Sequence, residues 1–317
     1  MKGAAEFISS CDYCGGKDAS VIIQKAVDND LLLPGEFNIV KCTACGLVYL
    51  NPRPDKNRIG EYYPVQYSAY RKESRIFAFL KSFSWAREAR EVKTMTGGKG
   101  SMLDIGCGQG ELLDFLKKGS PGYECFGIEM DCGSAEKAKT RFGIEAWCGR
   151  FEDFSFPPQQ KFDFIIMHYV LEHLPSPKAA FEKLRSMTVP GGHVLISVPN
   201  HESWERKIFG RYWQGYEVPR HFYSFTARTL TNYAEDAGFS VRKIKYSIVP
   251  NDWIWGIHRL LKEKGYMAPA AFFQPRNVLL LMLFLPVSIA GWLCGASSRF
   301  TIILKVRGNG SANLRNN

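Results

Sequence analysis

The chain has 317 residues, 45% of them hydrophobic and 23% charged, which is enough to bury a full core and too apolar for a disordered or fibrous protein. Lysine and arginine number 41 against 31 acidic residues, and the resulting charge of +10 favours a phosphate-rich partner: nucleic acid, an anionic membrane surface or a phosphorylated lipid. Residues 1–10 lack the long apolar core of an export signal, so a cytoplasmic setting with mostly reduced cysteines is expected.

Four of the nine cysteines fall into two copies of one pattern, Cys11-Asp12-Tyr13-Cys14-Gly15 and Cys42-Thr43-Ala44-Cys45-Gly46. In each, two thiolates can converge on one metal while the glycine permits a tight turn that points backbone amides at sulfur. Two such knuckles make a tetrahedral site, so Cys11, Cys14, Cys42 and Cys45 are expected to hold Zn2+. With four protein ligands and no open position for water, that metal would be structural. Residues 21–24 and 37–40 read as strands of a ribbon between the knuckles. Cys107, Cys125, Cys132, Cys148 and Cys294 lack such spacing and read as packing residues.

Pro52 and Pro54 end this module. The aromatic and basic stretch at 62–90 reads as helical, with Tyr62, Tyr63, Tyr67 and Tyr70 placed to line a lid. Beyond it, apolar strands and amphipathic helices alternate, which argues for a parallel sheet covered by helices on both faces. Strand one is 102–105, and Leu112, Leu113 and Leu116 give the following helix its buried stripe. Strand two is 123–129, a helix covers 135–141, and strand three is 145–148. Strand four, 162–167, is nearly continuous in apolar residues, as a fully buried strand should be. Pro190-Gly191-Gly192 stops the next helix ahead of strand five at 193–198. Thr226 caps a helix ending at Gly238, strand six is 239–248, and 300–306 is left for strand seven. The chain then divides into a zinc-ribbon module at 1–60, a helical lid or linker at 61–98, the sheet domain at 99–249 plus 299–308, an apolar helical insert at 250–298 and a disordered tail at 309–317.

Strand one ends on Leu103-Asp104-Ile105-Gly106-Cys107-Gly108-Gln109-Gly110, an acidic residue followed by a glycine-rich turn, and Glu129 closes strand two. Glycines let backbone amides approach a ligand closely at the mouth of a parallel sheet, and the second carboxylate can grip a ribose through both hydroxyls. A nucleoside cofactor is implied. In a dinucleotide-binding loop the third glycine would come one residue later, and Asp104 beside the first glycine would repel a pyrophosphate while suiting a cationic amino-acid moiety.

This stretch resembles motif I of class I S-adenosylmethionine-dependent methyltransferases, with Gly127-Ile128-Glu129-Met130-Asp131 as the ribose-binding turn. The order of elements is similar to that family throughout residues 101–249. The resemblance implies an α/β, Rossmann-like seven-stranded sheet whose last strand is antiparallel and inserted between strands five and six. It implies S-adenosylmethionine as cofactor, held by Asp104, Gly106, Cys107, Gly108, Gly110, Glu129, Met130 and His168, with Phe151 and Glu152 on the adenine side. Val170-Leu171-Glu172-His173-Leu174 resembles the Leu-Glu-His stretch of ubiquinone-type O-methyltransferases. The metal-using members of that group look to carry a further Glu where this chain has Tyr169, so a catalytic magnesium is not expected. Together with the ribbon, Val218-Pro219-Arg220-His221 looks like a branch associated with glycan and lipid biosynthesis.

Methyl transfer from a sulfonium is an in-line displacement, so the protein mainly aligns the acceptor and removes its proton. His168, Glu172, His173 and His221 are the candidate catalytic residues. His173 comes first because it lies just past strand four and a histidine needs little tuning near neutral pH. Arg220, Arg211 and Lys207, with Trp204, Trp213, Tyr212 and His221, form a basic aromatic cluster suited to a phosphate or sugar.

The run 278–295 is long and apolar enough to pass as a transmembrane helix. Yet if strand seven joins the sheet, both ends of the insert return to one domain and a single crossing is forbidden. With Pro286 central and Gly291 and Gly295 in its second half, a broken helix or hairpin fits better. Trp253, Trp255 and Trp292 suit a headgroup boundary, and Arg259, Lys262, Lys264, Arg276 and Arg299 outnumber Asp252 and Glu263 around them. A peripheral contact with the inner face of the cell membrane through 250–298 is expected, and the acceptor is expected to be a glycan, a lipid-linked sugar or another amphipathic small molecule. Two other functions compete. A zinc ribbon on this fold in a basic chain also resembles certain ribosomal-RNA methyltransferases. Against that, Met167-His168-Tyr169-Val170 stands where base-nitrogen methylation uses an Asn/Asp-Pro-Pro-aromatic turn, and the apolar insert has no use on RNA. A non-catalytic cofactor-binding subunit is the third option, disfavoured by the intact Asp104, glycines and Glu129.

Overall fold

The computed structural model describes residues 5–55, 58–64, 75–275 and 277–308, with no side-chain description for 75–81. Tyr67, Tyr70, Arg276 and the tail at 309–317 lie outside the described residues. The N-terminal part holds β1 (Ala5–Glu6), β2 (Ala19–Ala26), β3 (Phe37–Cys42), β4 (Val48–Leu50) and β5 (Arg53–Pro54). The pairing of β2 with β3 is antiparallel and forms the expected ribbon, with both Cys-x-x-Cys turns at the same end, where Ala19 pairs with Cys42. A 3-10 turn, Ile59–Tyr62, precedes α1 (Arg75–Thr96).

Then follow β6 (Lys99–Ile105), α2 (Glu111–Gly119), β7 (Gly122–Glu129), α3 (Cys132–Phe142), β8 (Glu145–Cys148), β9 (Phe162–His168), α4 (Pro177–Met187), β10 (Thr188–Pro199), α5 (Trp204–Phe209), β11 (Tyr223–Ser224), α6 (Ala227–Asp236), β12 (Phe239–Tyr246), α7 (Pro250–Glu263), α8 (Met267–Phe272), α9 (Val278–Leu293) and β13 (Arg299–Val306). Seven of these strands form one sheet in the order β12-β13-β10-β9-β6-β7-β8. β13 runs antiparallel to both β10 and β12, while β10-β9-β6-β7-β8 pair in parallel. The class I methyltransferase sheet anticipated from the order of elements is therefore the observed one.

Local signals explain why the elements begin and end where they do. Asp131 accepts from the Ser134 amide at the start of α3, Ser176 from the Ala179 amide at α4, and Thr226 with Thr229 closes a capping box at α6. Gly143 in a left-handed conformation ends α3. The central strands β6, β9 and β10 are buried on both faces, as their continuous apolar sequences require.

The N-terminal module is not a detached bead. β11, from the far side of the chain, pairs with β4 and completes the sheet β11-β4-β3-β2. Asp12 accepts hydrogen bonds from Ser176 Oγ at 2.6 Å and Tyr233 Oη at 2.8 Å, and Arg53 donates to the Pro175 carbonyl at 2.9 Å. One hydrophobic cluster runs from Leu47 and Tyr49 through Phe222 and Phe225 to β10 and β13.

Four expectations are corrected here. Pro286 does not break the apolar run, since α9 continues through it as one sixteen-residue helix packed on α7. Trp253 is buried, stacked on Phe284, and does not sit at a boundary with solvent. Two of the five supposed flanking cations are consumed by ion pairs, Arg259 with Asp30 and Arg299 with Asp252. Cys132 and Cys148 are not separate packing thiols but form a disulfide, their Cα atoms 4.9 Å apart, because the pairing of β7 with β8 brings the end of β8 beside the start of α3.

Candidate active site

Parallel strands that stop together leave a crevice at their carboxyl ends, and β6, β7 and β9 end there on Asp104-Ile105, Glu129 and His168. Gly106 and Cys107 donate their amides to the Ile128 carbonyl at 2.8 and 3.2 Å, folding the glycine loop over the end of β7. Gly106 has φ +81, and a Cβ there would come within 2.5 Å of Val170 Cγ2. Gly108 has φ +54 and open space where a Cβ would point, a cradle at the mouth of the sheet. Gly110 caps α2 in a left-handed conformation. Cys107 is buried beneath this loop, and desolvation pushes its thiol well above the usual range.

Glu129 ties the two ligand-facing turns together. Its Oε2 accepts from the Gly108 amide at 2.9 Å and its Oε1 from the Asp131 amide at 3.0 Å. Each oxygen keeps a lone pair for a further donor such as a ribose hydroxyl. Met130 beside it is exposed. Asp104 is buried, and no hydrogen bond reaches its carboxylate among the described residues. Burial pushes that carboxyl up to about 7, with Glu88 and Glu129 adding to the rise and His168 opposing it. A buried carboxyl with no hydrogen-bond partner among the described residues fits a cationic group, and the open glycine cradle fits the rest of an adenosyl sulfonium.

His168 is held at both ring nitrogens, Nδ1 by Ser197 Oγ at 2.8 Å and Nε2 by Glu88 Oε1 at 3.0 Å. Burial alone would lower its pKa, but the Glu88 carboxylate outweighs it and the imidazolium is favoured. Glu88 lies on α1, far from the motif in sequence, and no local pattern marks it. On the adenine side Phe151 is buried with Lys183 Nζ 4.8 Å above its ring, and Glu152 Oε1 accepts from Arg150 Nε at 2.7 Å.

A second polar group lies over the glycine loop. Val170, which packs on Gly106, leads into the 3-10 turn Leu171–His173. There Glu172, His173 and His221 converge, with one ligating atom of each within 4.8 Å of the others. His173 Nδ1 lies 2.8 Å from Tyr63 Oη and 3.0 Å from the Arg220 carbonyl, and the two imidazoles meet edge to face with centroids 4.5 Å apart. Glu172 is fully buried, neither carboxyl oxygen has a hydrogen-bond partner among the described residues, and desolvation pushes it up to about 8. Desolvation, reinforced by His221, pulls His173 down to about 3 and also lowers His221. The expectation that His173 needs little tuning therefore fails, because burial holds it neutral. Tyr169 has φ +54 and lies under Arg299, its ring centroid 5.2 Å from the guanidinium, so the third member of the group comes from His221.

The basic aromatic cluster dissolves on folding. Arg220 is wholly buried, with Nη1 2.9 Å from Asp28 Oδ2 and Nε 3.0 Å from Glu217 Oε1, and Arg211 donates to the Gln24 carbonyl at 2.6 Å. Trp213 is buried as well, and of the three cations Lys207 alone is exposed with no hydrogen bond or ion pair among the described residues. Of the acids that neutralise Arg220, Glu217 is only three residues away, while Asp28 comes from the N-terminal module, out of reach of a pattern read around residue 220. Of the proposed lid tyrosines, Tyr62 donates to the Pro34 carbonyl at 2.9 Å and Tyr63 meets His173.

In the N-terminal module the four expected thiols meet: Cys11 and Cys45 Sγ are 3.5 Å apart, Cys14 and Cys42 Sγ 3.6 Å. A tetrahedral zinc with Zn–S bonds of about 2.3 Å has edges of about 3.8 Å. Backbone amides of Tyr13 and Cys14 point at Cys11, and those of Ala44 and Cys45 at Cys42. The donor set and its spacing suit Zn2+.

A mixed seven-stranded sheet with one antiparallel strand and an acidic, glycine-lined crevice at its carboxyl edge defines a class I S-adenosylmethionine-dependent methyltransferase. The family model described as "Methyltransferase domain" matches residues 70–244, more than half of the chain, and the chain belongs to that family. Among curated relatives, a ubiquinone biosynthesis O-methyltransferase of Methylococcus capsulatus is 25% identical over 184 residues, covering 55% of this chain and 76% of that protein. The enzyme of the same name from Alkalilimnicola ehrlichii is 29% identical over 104 residues, 31% of this chain and 41% of the relative, so the chain spans less than half of it. Among solved structures, a putative sarcosine dimethylglycine methyltransferase from Galdieria sulphuraria aligns with TM-score 0.49 and 15% identity, covering 79% of this chain and 98% of that one.

Proposed function

We propose that this chain transfers the methyl group of S-adenosylmethionine to a hydroxyl of a glycan, a lipid-linked sugar or another amphipathic small molecule, working in the cytoplasm, with a structural Zn2+ held by Cys11, Cys14, Cys42 and Cys45. The observation that carries the reading is the pairing of the unpartnered, buried Asp104 with Glu129, whose two oxygens span the glycine loop and the turn after β7. When bound, S-adenosylmethionine supplies an electrophilic methyl group. The residues around it do the rest. Asp104 balances the positive charge, Glu129 holds the ribose, and Gly106 to Gly110 let the backbone come close. His168, braced by Glu88 and Ser197, closes the floor of the crevice.

On the acceptor side, His173 is the proton acceptor in this reading, with Glu172 and His221 beside it and Tyr63 fixing the ring. A neutral imidazole can accept a hydroxyl proton as the oxygen attacks. The β9 loop that carries His173 rests on Gly106, which puts this cluster on the same edge of the sheet as the cofactor crevice. His173→Gln should lower kcat by roughly 10²–10⁴-fold while the Kd for S-adenosylmethionine, measured by calorimetry, stays unchanged. An unaltered kcat removes His173 from the chemistry. Labelled-methyl incorporation into separated lipid, glycan, RNA and protein fractions tests the acceptor class, and label confined to RNA would overturn it.

A further inference from the structure

The helix α9, Val-Leu-Leu-Leu-Met-Leu-Phe-Leu-Pro-Val-Ser-Ile-Ala-Gly-Trp-Leu, contains no charged residue. One of its faces is used: Leu280, Ser288 and Gly291 are buried, Phe284 stacks on Trp253, and Gly291 lies against Trp204. Among the described residues, the opposite face is not. Leu279 is 71% exposed, Leu283 66% and Leu293 72%, with Met282 and Trp292 also open. That is an apolar ridge about 24 Å long at 1.5 Å per residue, too short for a hydrocarbon core of about 30 Å. No helix among the described residues is long and apolar enough to cross a membrane, and both ends of the α7–α9 segment return to the sheet through β12 and β13.

We infer that the α9 ridge lies in the plane of an anionic lipid leaflet. The charge around it selects this occupant. On α5, which packs against α7, Lys207 stands beside the exposed Ile208, and Lys264 follows α7 just before the exposed Tyr266 and Met267. Of the nearby acids, Asp252 is paired with Arg299, Asp30 with Arg259, and Glu205 is buried, which leaves the exposed Glu202 and Glu263 against Arg206, Lys207, Lys262 and Lys264, a net positive balance. The surface left over is apolar with a cationic rim, and the whole chain carries +10. Anionic headgroups satisfy both parts at once. A second copy of the chain would satisfy the apolar part and set like charges against each other. The inference goes beyond methyl transfer and stands or falls separately from it.

The test uses the purified full chain with vesicles of phosphatidylcholine alone or with phosphatidylglycerol. Flotation should occur with the anionic vesicles and weaken as salt rises. Leu279→Glu with Leu283→Glu should reduce partitioning by at least about tenfold while binding of S-adenosylmethionine is unchanged. Lys207→Glu with Lys264→Glu should remove the preference for anionic lipid. If the leucine pair impairs folding, the uncharged change Leu293→Asn at the exposed end of the helix should also weaken partitioning, without altering the charge. Flotation that fails for the parent chain, or that persists equally in the leucine variants, overturns the inference. So does a dimer in light scattering that Leu283→Glu converts to monomer, which would assign the ridge to self-association.

Discussion

Asp104 shows how one side chain sets the pH behaviour of a site. Its carboxyl sits near 7 because burial disfavours the charge, yet only the ionised form balances a cation. Proton and cofactor therefore compete, and the Kd for S-adenosylmethionine should rise as pH falls through about 7, by up to about tenfold per unit below it. Asp104→Asn should flatten that profile and weaken binding by roughly 10–100-fold, which calorimetry across pH reads directly. Glu172 makes the complementary case. Its folded pKa of about 8 lies above the ordinary 4.5, so the folded state keeps a proton that the unfolded chain has released. The associated stability is present below about 4.5 and is lost as pH rises to about 8. Glu172→Gln should therefore gain in Tm over the parent as pH goes from about 5 to about 9, measured by calorimetric melting. Both acids were readable as site candidates from the strand-and-loop context. Their environments were not, because desolvation depends on everything packed around a group.

At the scale of elements, the Cys-x-x-Cys turns and the glycine loop were legible because their chemistry is local. A knuckle needs two thiols and a glycine within five residues, and a ligand-binding turn needs its glycines in a row. If Zn2+ is bound as proposed, elemental analysis should find about one ion per chain, and Cys42→Ser should lower Tm by ~5–10 °C, a shift that a loss of roughly 2–3 kcal/mol produces in a domain of this size. The melting curve of the variant against the parent checks it. α9 was harder to foresee. Pro286 removes one amide from the ladder, but a helix packed on α7 along one side tolerates that loss, so the expected break did not follow. The pairing of Cys132 with Cys148 had no visible spacing either, since it is set by a neighbouring strand.

Over the whole molecule, the N-terminal module and the sheet are joined by buried polar contacts that only the fold assembles. Arg220, 0% exposed, spans Asp28 from the module and Glu217 from its own segment, which pins the module beside His173 and His221. Arg220→Ala would leave Asp28 buried without its cation and should cost about 3–5 kcal/mol, visible as a lowered urea midpoint. Neutralising the group together, Arg220→Met with Asp28→Asn and Glu217→Gln, should recover most of that loss, since Asp28→Asn keeps an acceptor for the Asp30 and Leu31 amides. The amino-acid sequence by itself determined the succession of strands and helices along the chain, the cofactor loop, the four-cysteine set and the existence of an apolar insert, because each rests on short-range periodicity or on residues adjacent in the chain. Tertiary structure alone decided which charges are free, which histidines stay neutral, that Glu88 braces His168, and that one face of α9 is left bare. Those properties belong to groups brought together from distant segments, and burial and electrostatic pairing exist only once the chain has folded.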